Sequence, residues 1–362
     1  MPPTGSIRQP FQSDHGPSGY GDLVREIRGR GLLHPRPTYY ALLGTTNLTG
    51  LVLVVAGLVL LRDSWWTILL APVYAVVSTQ IAFFSHDAAH RQIARRGWAT
   101  AALCLVHGNL LNGFSYGWWL AKHNAHHAHP NDLETDPDVA AGAIVFDADQ
   151  AAARTGPGAW LTRHQAVLFF PMLTLEAVNL RVTSMLTALR PGLTFQKTEY
   201  LLLLGHLALY LTLLISTMTW PQALAFCVVH QALSGVYLGC SFAPSHKGMP
   251  VLTPEQAADP LLRQVLVSRN IRGGRALGLA MGGLNLQIEH HLFPSMPRPN
   301  LRKASPIIQE HLRMRGISYT ETSLAASYGM ALRHLREVGG PLRGGERAQC
   351  LTDAHARRHA AD

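Results

Sequence analysis

Residues 39–61 read YYALLGTTNLTGLVLVVAGLVLL and carry no charge. As a helix this stretch rises roughly 34 Å, enough to cross a hydrocarbon core of about 30 Å. After only Arg62, Asp63 and Ser64, a second uncharged stretch follows at 65–85. So short a connection predicts a helical hairpin. The pattern recurs at 200–219 and 222–242, with Trp220 and Pro221 expected in the turn. Tyr39, Tyr40, Trp65, Trp66, Tyr200 and Trp220 stand at block ends, where amphipathic rings favour the membrane interface. One such block also fits a buried core helix. Four of them in two hairpins predict an all-α membrane protein with four transmembrane helices.

Composition agrees. Of 362 residues, 48% are hydrophobic and only 15% charged, against about 25% charged in soluble chains. Among the basic residues, only Arg62 lies in a hairpin turn. Short loops rich in Lys and Arg stay in the cytoplasm. Both termini and the long middle segment are therefore expected there, beneath the plasma membrane in a bacterium, with both turns outside. The net charge of +9 also suits anionic headgroups or an acidic protein partner. No basic helix is joined to an aromatic platform, which argues against nucleic acid. Cys104, Cys227, Cys240 and Cys350 form no C-x-x-C pair, which argues against a disulfide framework or an iron–sulfur cluster.

The expected organisation is a cytoplasmic segment 1–38, loose over its first 20 residues and without a cleavable signal, a membrane domain 39–335 and a disordered tail 336–362. Two further apolar stretches, 98–114 and 167–190, are interrupted by polar residues such as His107, Asn109, Glu176 and Arg181. They read as interfacial segments.

Histidines mark the ends of these blocks. SHDAAH carries His86 and His90 at i and i+4, directly after the second block. KHNAHHAHPN carries His123, His126 and His127 at i, i+3 and i+4. QIEHH gives Gln287, His290 and His291 the same spacing, and His246 follows the fourth block. On a helix such positions share one face. With four crossings all four elements emerge on one side of the membrane, as a cytoplasmic helical cap; three or five would split them. Imidazole is the commonest metal ligand near neutral pH. Eight histidines and Gln287 exceed what one ion takes, so they suit two metals with open positions. Spacing alone does not identify the metal; oxygen activation would call for iron. The box HDAAH is not the H-E-x-x-H of zinc proteases. His206 and His230, on separate crossings, are expected to pack or hydrogen-bond rather than to hold a haem.

HDAAH, HNAHH and QIEHH, with two membrane hairpins around them, resemble the integral-membrane fatty acid desaturases. GGLNLQIEHHLFPSMPR at 282–298 looks especially like members whose third box opens with glutamine. The likeness runs from about residue 40 to about 335. It implies an oxygen-dependent acyl desaturase with two irons, a catalytic face in the cytoplasm and O₂ as co-substrate. Its ligands would be His86, His90, His123, His126, His127, His246, His290 and His291, with Gln287 where many relatives have histidine. The acyl substrate is expected on CoA, a lipid or a carrier protein. Many glutamine-box relatives carry a fused haem domain. Here HPRP at 34–37 is not the H-P-G-G haem loop, and no nucleotide loop or cluster cysteine is seen. The resemblance thus implies a separate ferredoxin or haem-protein donor with a reductase.

Asp87, Asp136, Asp138, Glu289 and His107 lie near these ligands in sequence and are candidates to hold their second ring nitrogens; His129 and His164 are weaker ones. Lys122, Lys247, Arg95 and Arg96 are candidates to dock an acidic donor, beside a plain topogenic role. Trp118 and Trp119 read as interface anchors. The rival readings are a di-iron hydroxylase acting on alkanes or carotenoids and a membrane metal-binding or transport protein.

Overall fold

A computed structural model of the chain describes residues 19–342; most of the expected tail, and residues 1–18, lie outside that range. α1 (Tyr20–Gly29) precedes the long apolar α2 (Pro37–Leu60). A 3-10 turn, Trp65–Leu69, leads into α3 (Leu70–Ala89). α4 (Gly97–Cys104) continues as a π-helical turn, Leu105–Leu110, and α5 (Tyr116–Ala128) follows. After α6 (Ala148–Ala152), α7 (Gly156–Leu173) and α8 (Glu176–Ala188) meet at an 80° bend. Next come α9 (Gln196–Thr217) and α10 (Trp220–His246). The remainder holds α11 (Pro254–Ala258), α12 (Pro260–Val265), α13 (Arg275–Ala280), α14 (Gln287–Leu292), α15 (Arg298–Met314) and α16 (Leu324–Val338). A parallel pair of two-residue strands, β1 (Asn270–Ile271) and β2 (Glu321–Thr322), is the only strand pairing among the described residues.

Among the described residues four helices are long and apolar enough to cross a membrane: α2, α3 with its leading turn, α9 and α10, or five spans if the bent α7–α8 pair is one. Their outer faces show what lipid requires. Leu42, Val52, Leu53 and Leu60 of α2 and Leu201, Leu209 and Ile215 of α9 are exposed. The polar Asn47 of α2 is instead buried and donates to the Gln80 carbonyl at 3.2 Å. Apolar outside and polar inside is the pattern of a bundle dissolved in hydrocarbon. The protein is an integral membrane protein.

The two turns are tied together. The Asp63 amide donates to the Thr217 carbonyl at 2.9 Å, and the Gln222 side chain donates to the Asp63 carbonyl at 3.1 Å. Both turns therefore sit at one end of the bundle. The far ends of α3 and α10, with their histidines, sit together at the other.

Two expectations need adjusting. Trp220 and Pro221 open α10 instead of forming the turn; Thr219 and Gln222 make a capping box, and proline is tolerated in the first turn because its missing N–H has no helical partner there. α10 also runs through Pro244 to His246, so His246 lies in its last turn. Past Tyr20 the chain is well packed: Leu23 and Ile27 join Val265, Ile288, Leu292, Ile308 and Leu312 in one apolar core. That core welds α1, α12, α14 and α15 into a cap over the histidine end of the bundle. The second hairpin is splayed, since α10 packs along α3 and α8 while α9 packs on the π-helical turn. Gly235 permits this; a Cβ there would lie 2.3 Å from the Leu173 carbonyl oxygen.

Candidate metal centre

Each histidine box lies on a short length of helix that the fold turns inward. His86 and His90 end α3, His123, His126 and His127 lie on α5, His246 ends α10, and His290 and His291 lie on α14. The eight rings converge in two groups. One nitrogen from each of His86, His90, His123 and His290 falls within 4.8 Å of the others, and so do nitrogens of His126, His246 and His291. His127 stands between the groups. Its ring stacks on His291 with centroids 4.3 Å apart and lies 4.6 Å from His123, 4.8 Å from His90 and 5.0 Å from His290. Segments separated by up to two hundred residues thus place their imidazoles in one shell.

The outer ring nitrogens explain how the rings are held. Nδ1–H of His126 donates to Asp136 at 2.8 Å, that of His246 to the Val267 carbonyl at 3.1 Å, and that of His291 to the Gln264 side-chain oxygen at 2.9 Å. His86 Nδ1 lies 3.3 Å from Asp87. An outer acceptor fixes the tautomer and leaves the Nε2 lone pair facing inward, as in many metal sites. Burial above all, and then the closeness of other histidines, hold His90, His123, His127, His290 and His291 well below the ordinary imidazole pKa. All five are neutral at pH 7 and free to give a lone pair.

Several atoms of the cluster lack protein partners. His86 Nε2, His290 Nε2, His291 Nε2, His127 Nδ1 and Gln287 Oε1 are buried without a hydrogen bond. Each such orphan costs about 1–3 kcal/mol, and an occupant that accepts lone pairs would relieve that cost. His90 Nε2 and His123 Nε2 face each other at 2.8 Å, as do His123 and His127 Nε2 at 3.1 Å. Nitrogens bound to one cation at about 2.1 Å lie up to about 4.2 Å apart, close to the spacing within each group. The donor set is compatible with a metal site. Gln287 Nε2 lies 2.9 Å from His246 Nε2; the amide faces the second group.

Comparison with known proteins points to one family. The family model for fatty acid desaturase matches residues 63–323. The chain belongs to the fatty acid desaturase family. It is 30% identical over 280 residues to an acyl-lipid (9-3)-desaturase of Physcomitrium patens, covering 73% of this chain and 52% of the relative. It is 25% identical over 339 residues to the Delta(6)-fatty-acid desaturase fat-3 of Caenorhabditis elegans (87% and 74%) and 29% over 296 residues to a Delta(8)-fatty-acid desaturase of Helianthus annuus (77% and 64%). The chain thus spans about half the length of the Physcomitrium patens relative and more of the other two.

In this family member the other sequence candidates fall into three classes. Asp136 holds His126, as above, and also accepts from the Asn131 and Asp138 amides, each at 2.8 Å. Asp138 lies 3.6 Å from His126 Nδ1 and pairs with Lys122. Asp87 is shared between His86 and a buried ion pair with Arg298 at 2.7 Å. Glu289 turns away from the cluster to accept from Asn270 at 2.7 Å and Tyr319 at 2.6 Å. His107 sits in the π-helical turn, donates to the Leu103 carbonyl at 2.9 Å and packs on Phe84. His129 is exposed, and His164 bonds the Trp160 carbonyl. His230 bonds Tyr210 at 2.9 Å and His206 the Leu110 carbonyl at 2.9 Å.

Two readings are corrected. Lys122 and Lys247 do not project toward a partner: Lys122 pairs with the Asp138 carboxylate, and Lys247 donates to the Asp138 carbonyl at 2.7 Å over the Phe146 ring. Arg95 and Arg96 remain exposed. Trp119 is no interface anchor, because it stacks on His123 with centroids 4.3 Å apart and edges His86 and His90. Its place four residues before His123 carries that signal. Gln264, Val267 and Arg298, in contrast, have no local pattern that marks them.

Proposed function

We propose that the chain is an oxygen-dependent fatty acyl desaturase that holds two irons with His86, His90, His123, His126, His127, His246, His290, His291 and the amide of Gln287. The observation that carries this reading is the convergence of eight buried or half-buried imidazoles from four segments at one end of a membrane bundle. When bound, the irons supply reductive activation of O₂, the means of breaking unactivated C–H bonds, which no side chain can do.

The remaining work belongs to the protein. Asp136, Gln264 and the Val267 carbonyl lock the rings with lone pairs inward, so that no reorganisation is needed when metal enters. The cap core and the Trp119 ring shield the cluster from water. The bundle presents apolar walls to an acyl chain arriving from the bilayer, and this positioning lets two adjacent methylenes be oxidised in one binding event. Overall, a –CH₂–CH₂– unit, O₂, two electrons and two protons give –CH=CH– and two waters. The electrons come from a separate ferredoxin or haem protein with its reductase, docking on the cytoplasmic face near the exposed Arg95 and Arg96. Supporting that orientation, basic residues lie almost wholly outside the two turns. The names of the Delta(6) and Delta(8) relatives support action between the carboxyl end and the middle of a long acyl chain.

Expression in a host of known lipid content, with mapping of double bonds, tests the reading. A new double bond is expected, and it is expected to disappear in His127→Ala and His291→Ala. A new alcohol in place of an alkene would favour the hydroxylase. Unchanged lipids from a metal-loaded, reductant-supplied protein would leave only a metal-binding role.

A further inference from the structure

The helix that carries the second histidine box begins with four amides that have no partner within the helix. All four are satisfied from outside its ladder. The Ser115 amide donates to Ser184 Oγ at 2.9 Å, that of Tyr116 to Asn109 Oδ1 at 3.1 Å, that of Gly117 to Glu199 at 3.1 and 3.2 Å and that of Trp118 to Ser115 Oγ at 3.2 Å. Glu199 is the hub. It comes from the first turn of α9, is fully buried, and its Oε2 also accepts from Ser115 Oγ at 2.6 Å and Asn109 Nδ2 at 3.1 Å. No ion pair reaches it among the described residues, so its acceptors face only neutral donors and the positive end of α5. The fit is tight: a Cβ on Gly117 would lie 2.8 Å from Glu199 Oε1.

A helix turns about 100° per residue. His123, His126 and His127 therefore point into the cluster only at one rotation of α5, and a one-residue slip would carry all three away. The anchor that sets this rotation lies about 9 Å along the axis from His123. We propose that Glu199 is the positioning residue of the second histidine box. Its carboxylate joins the π-helical turn, the membrane helix α9 and the start of α5, and so fixes the angle at which three ligands meet the metals. The inference rests on the reading of these histidines as metal ligands.

The test uses the full chain in detergent or nanodiscs, loaded with cobalt(II) as a spectroscopic probe. Metal per chain, affinity and the visible d–d bands are read for the wild type, Glu199→Gln and the double variant Glu199→Gln/Asn109→Asp. Glu199→Gln sets an amide –NH₂ against the donors of Gly117 or Ser115. A 10–100-fold weaker affinity is expected, the range seen when groups behind metal ligands are removed, together with altered d–d bands. The double variant returns a carboxylate to the same hydrogen-bonded pair and is expected to recover most of the wild-type spectrum. A Gln variant that loses thermal stability while keeping wild-type affinity and spectrum overturns the proposal. If Glu199→Gln does not fold, Ser115→Ala decides, with a several-fold loss expected and an unchanged affinity overturning it. A wild type that takes up no metal overturns the ligand reading itself, and this is seen before any variant is compared.

Discussion

Replacing Gln264 by leucine probes how the cluster is held, because Gln264 sits behind the ligands and belongs to no motif. Its side chain is 9% exposed. It accepts from His291 Nδ1 at 2.9 Å and donates to the His127 carbonyl at 2.8 Å, touching two boxes at once. Leucine keeps the bulk and removes both bonds. A buried ring N–H and a buried carbonyl are left unpaired, at about 1–3 kcal/mol each, so the fold should lose about 2–6 kcal/mol. His291 also loses the acceptor that fixes its tautomer. Its proton can then move to Nε2 and block the inward lone pair. Metal affinity should fall 10–100-fold, or about 1.4–2.7 kcal/mol. Anaerobic ferrous iron titration of the purified protein measures this, with the exposed Gln309→Leu as a control expected within about 0.5 kcal/mol of wild type. A Gln264→Leu protein that binds iron as tightly as the control would refute the claim that outer hydrogen bonds preorganise the rings.

Gly235→Ala should lower the thermal midpoint in detergent, since its Cβ would meet the rigid Leu173 carbonyl at 2.3 Å and overpacking costs about 1–3 kcal/mol; an unchanged midpoint contradicts the close α10–bend contact. Arg298→Met strands the buried Asp87 carboxylate beside His86 and should cost about 3–5 kcal/mol. Adding Asp87→Asn should restore part of that loss in a chemical or thermal melt, and a double variant no better than the single contradicts a buried ion pair. Trp119→Ala should weaken iron binding and admit water to His123 without unfolding the bundle. Faster chelator extraction of iron checks it, and an unchanged rate contradicts the shielding role.

Much of the architecture was legible because it depends on local periodicity. An uncharged stretch of some twenty residues has few alternatives to a membrane helix, and histidines at i, i+3 and i+4 share a face wherever the helix lies. Topology then required the boxes to meet, and they do. What was not legible depends on tertiary packing. Nothing in the residues around Gln264 or Val267 announces that they face an imidazole. Lys122 and Lys247 look like surface charges until the fold sets Asp138 between them. The fourth apolar block ends at Phe242, yet α10 continues through Pro244, where the buried Arg269 donates from Nε to the Pro244 carbonyl at 2.6 Å and also bonds the Lys247 carbonyl. A long-range cation thus supplies the partners that the last turn lacks.

The claim on which the account stands is that these imidazoles form one site for two irons. Iron stoichiometry and Mössbauer spectra of the purified protein, reconstituted anaerobically with ⁵⁷Fe(II), measure it directly. The account predicts two high-spin ferrous ions per chain in nitrogen-rich surroundings, with occupancy falling in both His290→Ala and His291→Ala. A single iron per chain, or two that persist unchanged in those variants, would contradict it.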